Sequence, residues 1–209
     1  MIMRRHSLRS VIMLACGIMP ASGIDENGDG MCDVWQATHH AGVLLPGADE
    51  DGDGTNNLRE SMAGTDPFDA QSRFSSSLQR QAANVAITVT TQPGKRYRLL
   101  SNATLTGTWN PAGEWHLALT DQWIVTPPMS GSAGFYSVEV ADADTDGDGV
   151  SDWAEMQLAG YDRTQANSFG TGGNDLTGVQ EWLALLAGGG VTSTTVSAQA
   201  IEKEQSAAV

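Results

Sequence analysis

Between residues 73 and 141 apolar and polar positions alternate. Val85, Ile87 and Val89 set the first strand, and Pro93-Gly94 then marks a turn. Tyr97 and Leu99 define a second strand and Trp115, Leu117 and Leu119 a third. Trp123 and Val125 define a fourth that ends at Pro127-Pro128, and Phe135, Val138 and Val140 a last. Successive side chains of a strand point to opposite faces, so period two over short segments punctuated by Gly and Pro predicts a small antiparallel β-sandwich. A module this short buries limited surface, so support from the flanking segments is expected.

Outside this stretch the pattern becomes short apolar clusters that stop at glycine. It predicts helices over 33–41, 57–63 and 152–159, stopped by Gly42, Gly64 and Gly160, and over 180–187, stopped by glycines 188–190. No helix is predicted to enter most of the polar stretches that precede them, so the units read as loop then helix. The first 23 residues read differently again: Arg4, Arg5 and Arg9 precede the apolar stretch 11–19 and the small residues Ala21-Ser22-Gly23, which predicts a secretory signal peptide over 1–23. That stretch is too short to span a bilayer, and the mature chain is expected to have no transmembrane span. Cys16 after Met13-Leu14-Ala15 is the alternative, a lipoprotein cysteine.

Charge sharpens the picture. The chain has 209 residues, 11 Lys+Arg against 25 Asp+Glu, and a formal net charge of -14. Removing the three leader arginines leaves 8 basic residues and a formal charge of -17. Such a balance excludes nucleic acid as a partner, because phosphates require a basic face. It suits solubilisation or cation capture. With the leader gone Cys32 is the only cysteine, so no intrachain disulfide forms, and bound metal is the expected substitute in an exported protein.

The acid is concentrated. Residues 25–36 read DENGDGMCDVWQ, 49–60 read DEDGDGTNNLRE and 144–155 read DTDGDGVSDWAE, and these windows hold 14 of the 25 acidic residues. Each has oxygen side chains at positions 1, 3, 5 and 9, glycine at 6 and Glu or Gln at 12, the spacing of an EF-hand calcium loop. Calcium takes six to eight oxygens, so the tight loop needs a residue tolerant of positive φ at position 6, supplied by Gly30, Gly54 and Gly149. The expected ligands are Asp25, Asn27, Asp29, Met31, Asp33 and Gln36 in the first loop. In the second they are Asp49, Asp51, Asp53, Thr55, Asn57 and Glu60, and in the third Asp144, Asp146, Asp148, Val150, Asp152 and Glu155. Met31, Thr55 and Val150 contribute through backbone carbonyls. Gln36 offers one neutral oxygen, so the first site is expected to be weakest and the third strongest. Unit charges 4 Å apart repel by about 4 kcal/mol at an effective dielectric of 20, so such loops are expected to stay open without a cation.

The text repeats. AGTDPFDAQS at 63–72 matches AGYDRTQANS at 159–168, which points to internal duplication. Residues 170–181, GTGGNDLTGVQE, read as a fourth loop that has lost its ligands, with Asn174 at position 5 and Glu181 at position 12. Position 8, aliphatic in EF-hands, is Cys32, Asn56, Ser151 and Thr177.

The strings DGMCDVWQ, ADEDGDGTNNLRESMAGTDP and DADTDGDGVSDWAE resemble the dockerin-like and thrombospondin type 3-like calcium repeats of exported bacterial proteins. GKRYRLLSNATLTGTWNPAG, with FYSVEV before the third loop, resembles the fibronectin-type β module found between such repeats. The resemblance implies a calcium-dependent structural or adhesive role outside the cell, ligands at the positions named above, and no inherited catalytic residues. It also implies that such segments open larger proteins.

Catalytic carboxylates need shifted acidities in a cleft, whereas these stand at metal spacing in glycine-rich loops. The mature histidines are His39, His40 and His116, with no Ser-His-Asp order or phosphate-cradling loop, and His39-His40 at a helix end is read as interacting with the helix dipole. No enzyme is expected. The fold expected is mixed and mainly β: a small antiparallel β-sandwich (73–141) flanked by two EF-hand-like calcium loop–helix pairs (24–72 and 142–187), with 188–209 a linker or the start of a further module. The function expected is that of a secreted or cell-surface calcium-binding protein. The alternatives are a carbohydrate- or protein-binding module, with Trp109, Trp115 and Trp123 as stacking candidates and a cell-surface protein or glycan as partner, or the N-terminal spacer of a larger exported enzyme.

Overall fold

A computed structural model describes residues 12–14, 23–81, 84–104, 106–127, 135–170 and 173–188. The signal-peptide assignment apart from 12–14 and 23, the Cys16 alternative, Pro128, and the linker beyond Gly188 lie outside the described residues. The chain divides into two compact units.

The first unit holds the alternating stretch and also residues 12–14, which fall inside the segment expected as a leader. Its strands are β1 (Ile12–Leu14), β2 (Ser76–Gln81), β3 (Asn84–Thr90), β4 (Lys95–Asn102), β5 (Asn110–Pro111), β6 (His116–Leu117), β7 (Gln122–Val125) and β8 (Phe135–Asp142). One sheet has the order β1-β8-β4-β5, with β6 also on β4, and the other β2-β3-β7. Pairing is antiparallel for β2 with β3, β3 with β7, and β4 with β5 and β6, and parallel for β1 with β8. Val85, Ile87 and Val89 from one sheet and Tyr97, Leu99, Tyr136 and Val138 from the other fall in a single core cluster. Burying apolar area on the order of 25 cal/mol per Å² is what makes the alternation decisive.

Two expectations shift. The strand β2 was not signalled, because SSLQRQ carries one apolar residue, Leu78. Among the described residues it is an edge strand paired to β3 alone, and such a strand needs no apolar face. In the third predicted strand the phase inverts: Ala118 is in the core while Leu119 is 59% exposed. The cause is backbone pairing, for the Ala118 N–H donates to the Lys95 carbonyl at 2.9 Å and the Ala118 carbonyl accepts from the Gly94 N–H at 2.9 Å, which holds residue 118 inward.

The second unit contains both acidic flanks. Its helices are α1 (Asp33–Thr38), α2 (Asn57–Ala63), α3 (Asp152–Gln157) and α4 (Asp175–Ala187). Residues 24–72 and 142–187, expected as separate calcium modules on either side of the sandwich, close on one core: Met31, Val34 and Trp35 from the first pair meet Val150, Trp153, Val179 and Trp182 from the second. α1 contacts both α3 and α4. A small unit buries a smaller share of its surface, and sharing one core enlarges what each half buries. Trp35 anchors it, fully buried with its indole N–H donating to the Thr65 carbonyl at 2.7 Å. Trp35→Ala is therefore expected to cost about 3–5 kcal/mol, the range for emptying a large buried aromatic site. Urea unfolding followed by near-ultraviolet circular dichroism checks this.

Candidate metal centres

The acidic loops are built by their own backbone. At position 1, Asp49 accepts from the Gly52 and Gly54 N–H groups at 2.8 and 3.0 Å, and Asp144 accepts from Gly147 and Gly149 at 2.7 and 3.1 Å. Gly54 and Gly149 have φ of 94° and 97°, a conformation that costs an L side chain energy, which is why position 6 is glycine. At position 3 one oxygen of Asp51 accepts from Asp53 N–H, and one of Asp146 from Asp148 N–H. At position 5, Asp53 accepts from Thr55 N–H and Asp148 from Val150 N–H. The carboxylates at positions 3 and 5 thus each spend one oxygen on the loop, whereas Asp49 and Asp144 spend both.

The other oxygens are spent on nothing. Asp51, Asp53, Asp146 and Asp148 each keep a buried Oδ2 without a hydrogen-bond partner, and Glu60 and Glu155 keep both carboxylate oxygens unpartnered. Glu60 is 0% and Glu155 1% exposed. Leaving a buried carboxylate unpaired costs several kcal/mol, and proteins avoid it unless something else supplies the partner. In both loops an oxygen from each of the three aspartates lies within 4.8 Å of the others. Asp49, Asp51 and Asp53 could hold one metal ion, and Asp144, Asp146 and Asp148 another, with Glu60 and Glu155 as the donors left free beside them. The donor set is all oxygen, which suits a hard cation.

Charge crowding has the expected electrostatic signature. Burial, then the charges of Asp51, Asp53 and Asp49, push Glu60 up to about 8. Burial, then Asp146 and Asp148, do the same to Glu155, also to about 8. Asp146 and Asp148 are raised as well, chiefly by burial. A carboxyl whose folded-state value lies above its ordinary 4.5 binds more protons folded than unfolded. Its contribution is complete below about 4.5 and is lost as pH climbs through about 8. Ion-free protein is accordingly expected to lose stability steadily from pH 5 to pH 8.5, which urea midpoints in the presence of a chelator would record.

Position 9 does other work in two loops. The Asp33 carboxylate accepts from the Glu26 N–H at 2.7 Å, and Asp152 accepts from the Thr145 N–H and hydroxyl, each at 2.7 Å. Asn57, fully buried, donates to the Leu45 carbonyl at 2.8 Å and keeps its Oδ1 unpartnered. Met31, Thr55 and Val150 hold position 7 in the three loops, the place where an EF-hand loop uses a backbone carbonyl. Position 8 is a helix cap: Asn56 accepts from Arg59 N–H and Ser151 from Ala154 N–H, whereas Cys32 makes no side-chain cap. That is why its aliphatic residue is missing.

The first loop closes on itself. Asp25 accepts from Gly28, Asp29 and Gly30 N–H groups, and Gln36 binds Asp29 and Asn27 through its amide.

The fourth loop starts three residues earlier than the sequence spacing indicates. Asp33, Asn57 and Asp152 at position 9 donate their N–H to the carbonyls of Ile24, Ala48 and Ala143, one residue before each loop, and Asp175 donates in the same way to Ala166. Asp175 also accepts from the Ser168 N–H, as Asp33 and Asp152 accept at position 2, and from the Ser168 hydroxyl. Asn174 caps α4 in the position-8 manner, accepting from Thr177 N–H. The loop is thus 167–178, with Gly178 at position 12, and Glu181 is an exposed residue within α4. It has no ligand-bearing terminus. α4 consequently begins at Asp175, five residues before its predicted start.

His39 lies 3.6 Å from Asp66 and against the Trp35 ring, and burial lowers its basicity. No family model, characterised protein or solved structure matches this chain.

Proposed function

We propose that this chain is a non-catalytic calcium-binding structural protein, secreted or held at the cell surface after export through its leader. The observation that carries the reading is the pair of buried glutamates, Glu60 and Glu155, unpartnered beside clusters of three aspartates. Calcium is favoured over magnesium because the loops offer an all-protein set of six oxygens, from side chains at positions 1, 3 and 5, a two-oxygen carboxylate at 12 and a carbonyl at 7, whereas magnesium keeps several waters and is rarely held by such a cage. An affinity of about 10⁻⁴–10⁻³ M is expected, as for extracellular modules. At extracellular calcium concentrations an ion so held acts as a strut and not as a signal.

We read residues 73–141 as the β-sandwich and the loop–helix units as EF-hand-like pairs. This reading is supported by the two sheets sharing one core and by the repeated loop geometry. Two of the three tryptophans that glycan binding would use have a ring face engaged within the module: Arg96 and Arg98 lie 4.9 and 4.5 Å from the Trp115 ring centre, and Trp123 stacks on His116 at 5.0 Å. That favours the structural role over sugar recognition. The test is to titrate calcium into stripped protein while following the melting temperature, with magnesium as the control. A rise confined to calcium is expected, and an equal response to both ions would overturn the reading.

A further inference from the structure

The first loop has the length and glycine spacing of its neighbours, yet none of its oxygens is buried without a partner among the described residues. Its hydrogen bonds explain this. The Asp29 N–H donates to Asn27 Oδ1 at 2.8 Å, which fixes the Asn27 amide. Asn27 Nδ2 therefore faces Gln36, donating to Oε1 at 3.2 Å. Gln36 Nε2 is then directed to Asp29 Oδ2, donating at 2.8 Å. The equivalent oxygens of Asp53 and Asp148 are the unpartnered ones. Charge follows the same logic: positions 1, 3, 5 and 12 carry Asp25 and Asp29 as their only carboxylates here, whereas the second and third loops carry four each.

We infer that the Gln36 side-chain amide stands in the first loop where an ion would stand, so that the loop is closed without metal and the protein takes two calcium ions, one in each loop pair. This rests on the calcium reading of the second and third loops. Access is not what keeps an ion out, for a cleft of about 720 Å³ opens beside Asn27, Asp33 and Gln36. The amide N–H supplies the positive end of a dipole to Asp29, which a carboxylate at the same place cannot do.

Each ion loop then rests on a loop that needs none. A Cβ on Gly30 would lie 3.3 Å from Leu58 Cδ1, and one on Gly149 would lie 3.4 Å from Leu176 Cδ2, so the first loop abuts the second and the third abuts the fourth in equivalent ways. The two ions belong to different pairs, and neither sits opposite another ion within its own pair.

Calorimetric titration of the full chain with calcium, after stripping, tests this. The wild type is expected to take up two ions and Gln36→Glu three. Gln36→Met, which removes the amide without adding a carboxylate, is expected to remain at two and to melt lower than wild type in chelator. In the ion-free wild type the Gln36 amide protons are expected to exchange slowly, with resonances that calcium leaves unmoved. Three ions in the wild type, or two in Gln36→Glu, would overturn the inference while leaving the calcium reading intact. Uptake of no ion by the wild type would overturn both.

Discussion

Stripping calcium at pH 7.5 is expected to lower the melting temperature of the loop–helix unit by about 20–40 °C. Two sites each supply about 2.7 kcal/mol when free calcium is about 100-fold above Kd. A unit of roughly 100 residues moves its midpoint by about 4–8 °C per kcal/mol. The effect should be graded with calcium concentration, since only the excess over Kd stabilises the fold. Proton linkage adds a second axis. In chelator the unit should be most stable near pH 5, where Glu60 and Glu155 keep their protons, and least stable above pH 8. Calcium displaces those protons and should reverse the slope. Calorimetric scans at pH 5 and 8, with and without calcium, would show opposite pH trends. Parallel trends would mean that no ion binds at these carboxylates.

Replacing the closing glutamates should change sign with the ion. Glu60 and Glu155 are buried, unpaired and surrounded by aspartates, so Glu60→Gln or Glu155→Gln removes a crowded ionisable group from ion-free protein. At pH 8 in chelator each variant is expected to melt higher than the parent. In saturating calcium each is expected to melt lower, because the amide gives the ion one neutral oxygen in place of two charged ones. A loss of affinity of at least about tenfold, or about 1.4 kcal/mol, is expected for the altered site. The other site should be unaffected, since the two loops are in different pairs. Glu181→Gln, in exposed α4 sequence, should do neither and serves as the control. A variant that weakens binding without stabilising the stripped protein would show that crowding is not what the carboxylates endure.

The aspartate clusters of the second and third loops were legible because Asp stands at positions 1, 3 and 5 in each, and the structure brings an oxygen of each within 4.8 Å of the others. The alternation in β3 and β4 was legible because the faces of each strand differ in polarity, whereas β8 buries the four successive residues 136–139, with Tyr136 and not Phe135 in the core. What sequence reading missed was decided by backbone partners. The polar edge strand β2 has no apolar face to announce it. Ala118 points inward because of its exchange of hydrogen bonds with Lys95 and Gly94. The fourth loop was misplaced by Asn174 and Glu181, whose residue types suit positions 5 and 12. A signal was present. An alanine precedes the second, third and fourth loops, as Ala48, Ala143 and Ala166, and a cap–Asx–apolar triplet opens the next helix, as Asn56-Asn57-Leu58, Ser151-Asp152-Trp153 and Asn174-Asp175-Leu176. Aligning on those landmarks gives the observed register. The amide closure of the first loop is half visible in the sequence, since Gln36 stands at position 12 as a weak ligand while nothing in the spacing marks it as a hydrogen-bond donor.

The core that joins Trp35 to Trp153 and Trp182 has a kinetic consequence. Its two halves are separated in the chain by the whole β module, so the nucleus of the loop–helix unit cannot form until that long segment has been made. High sequence separation between contacting residues slows folding, although the entropy of closing a loop grows only as the logarithm of its length. An intervening module that collapses first shortens the effective search. Refolding from urea should then show two phases, strand formation ahead of tryptophan burial, and a chain halted before residue 150 should leave Trp35 exposed.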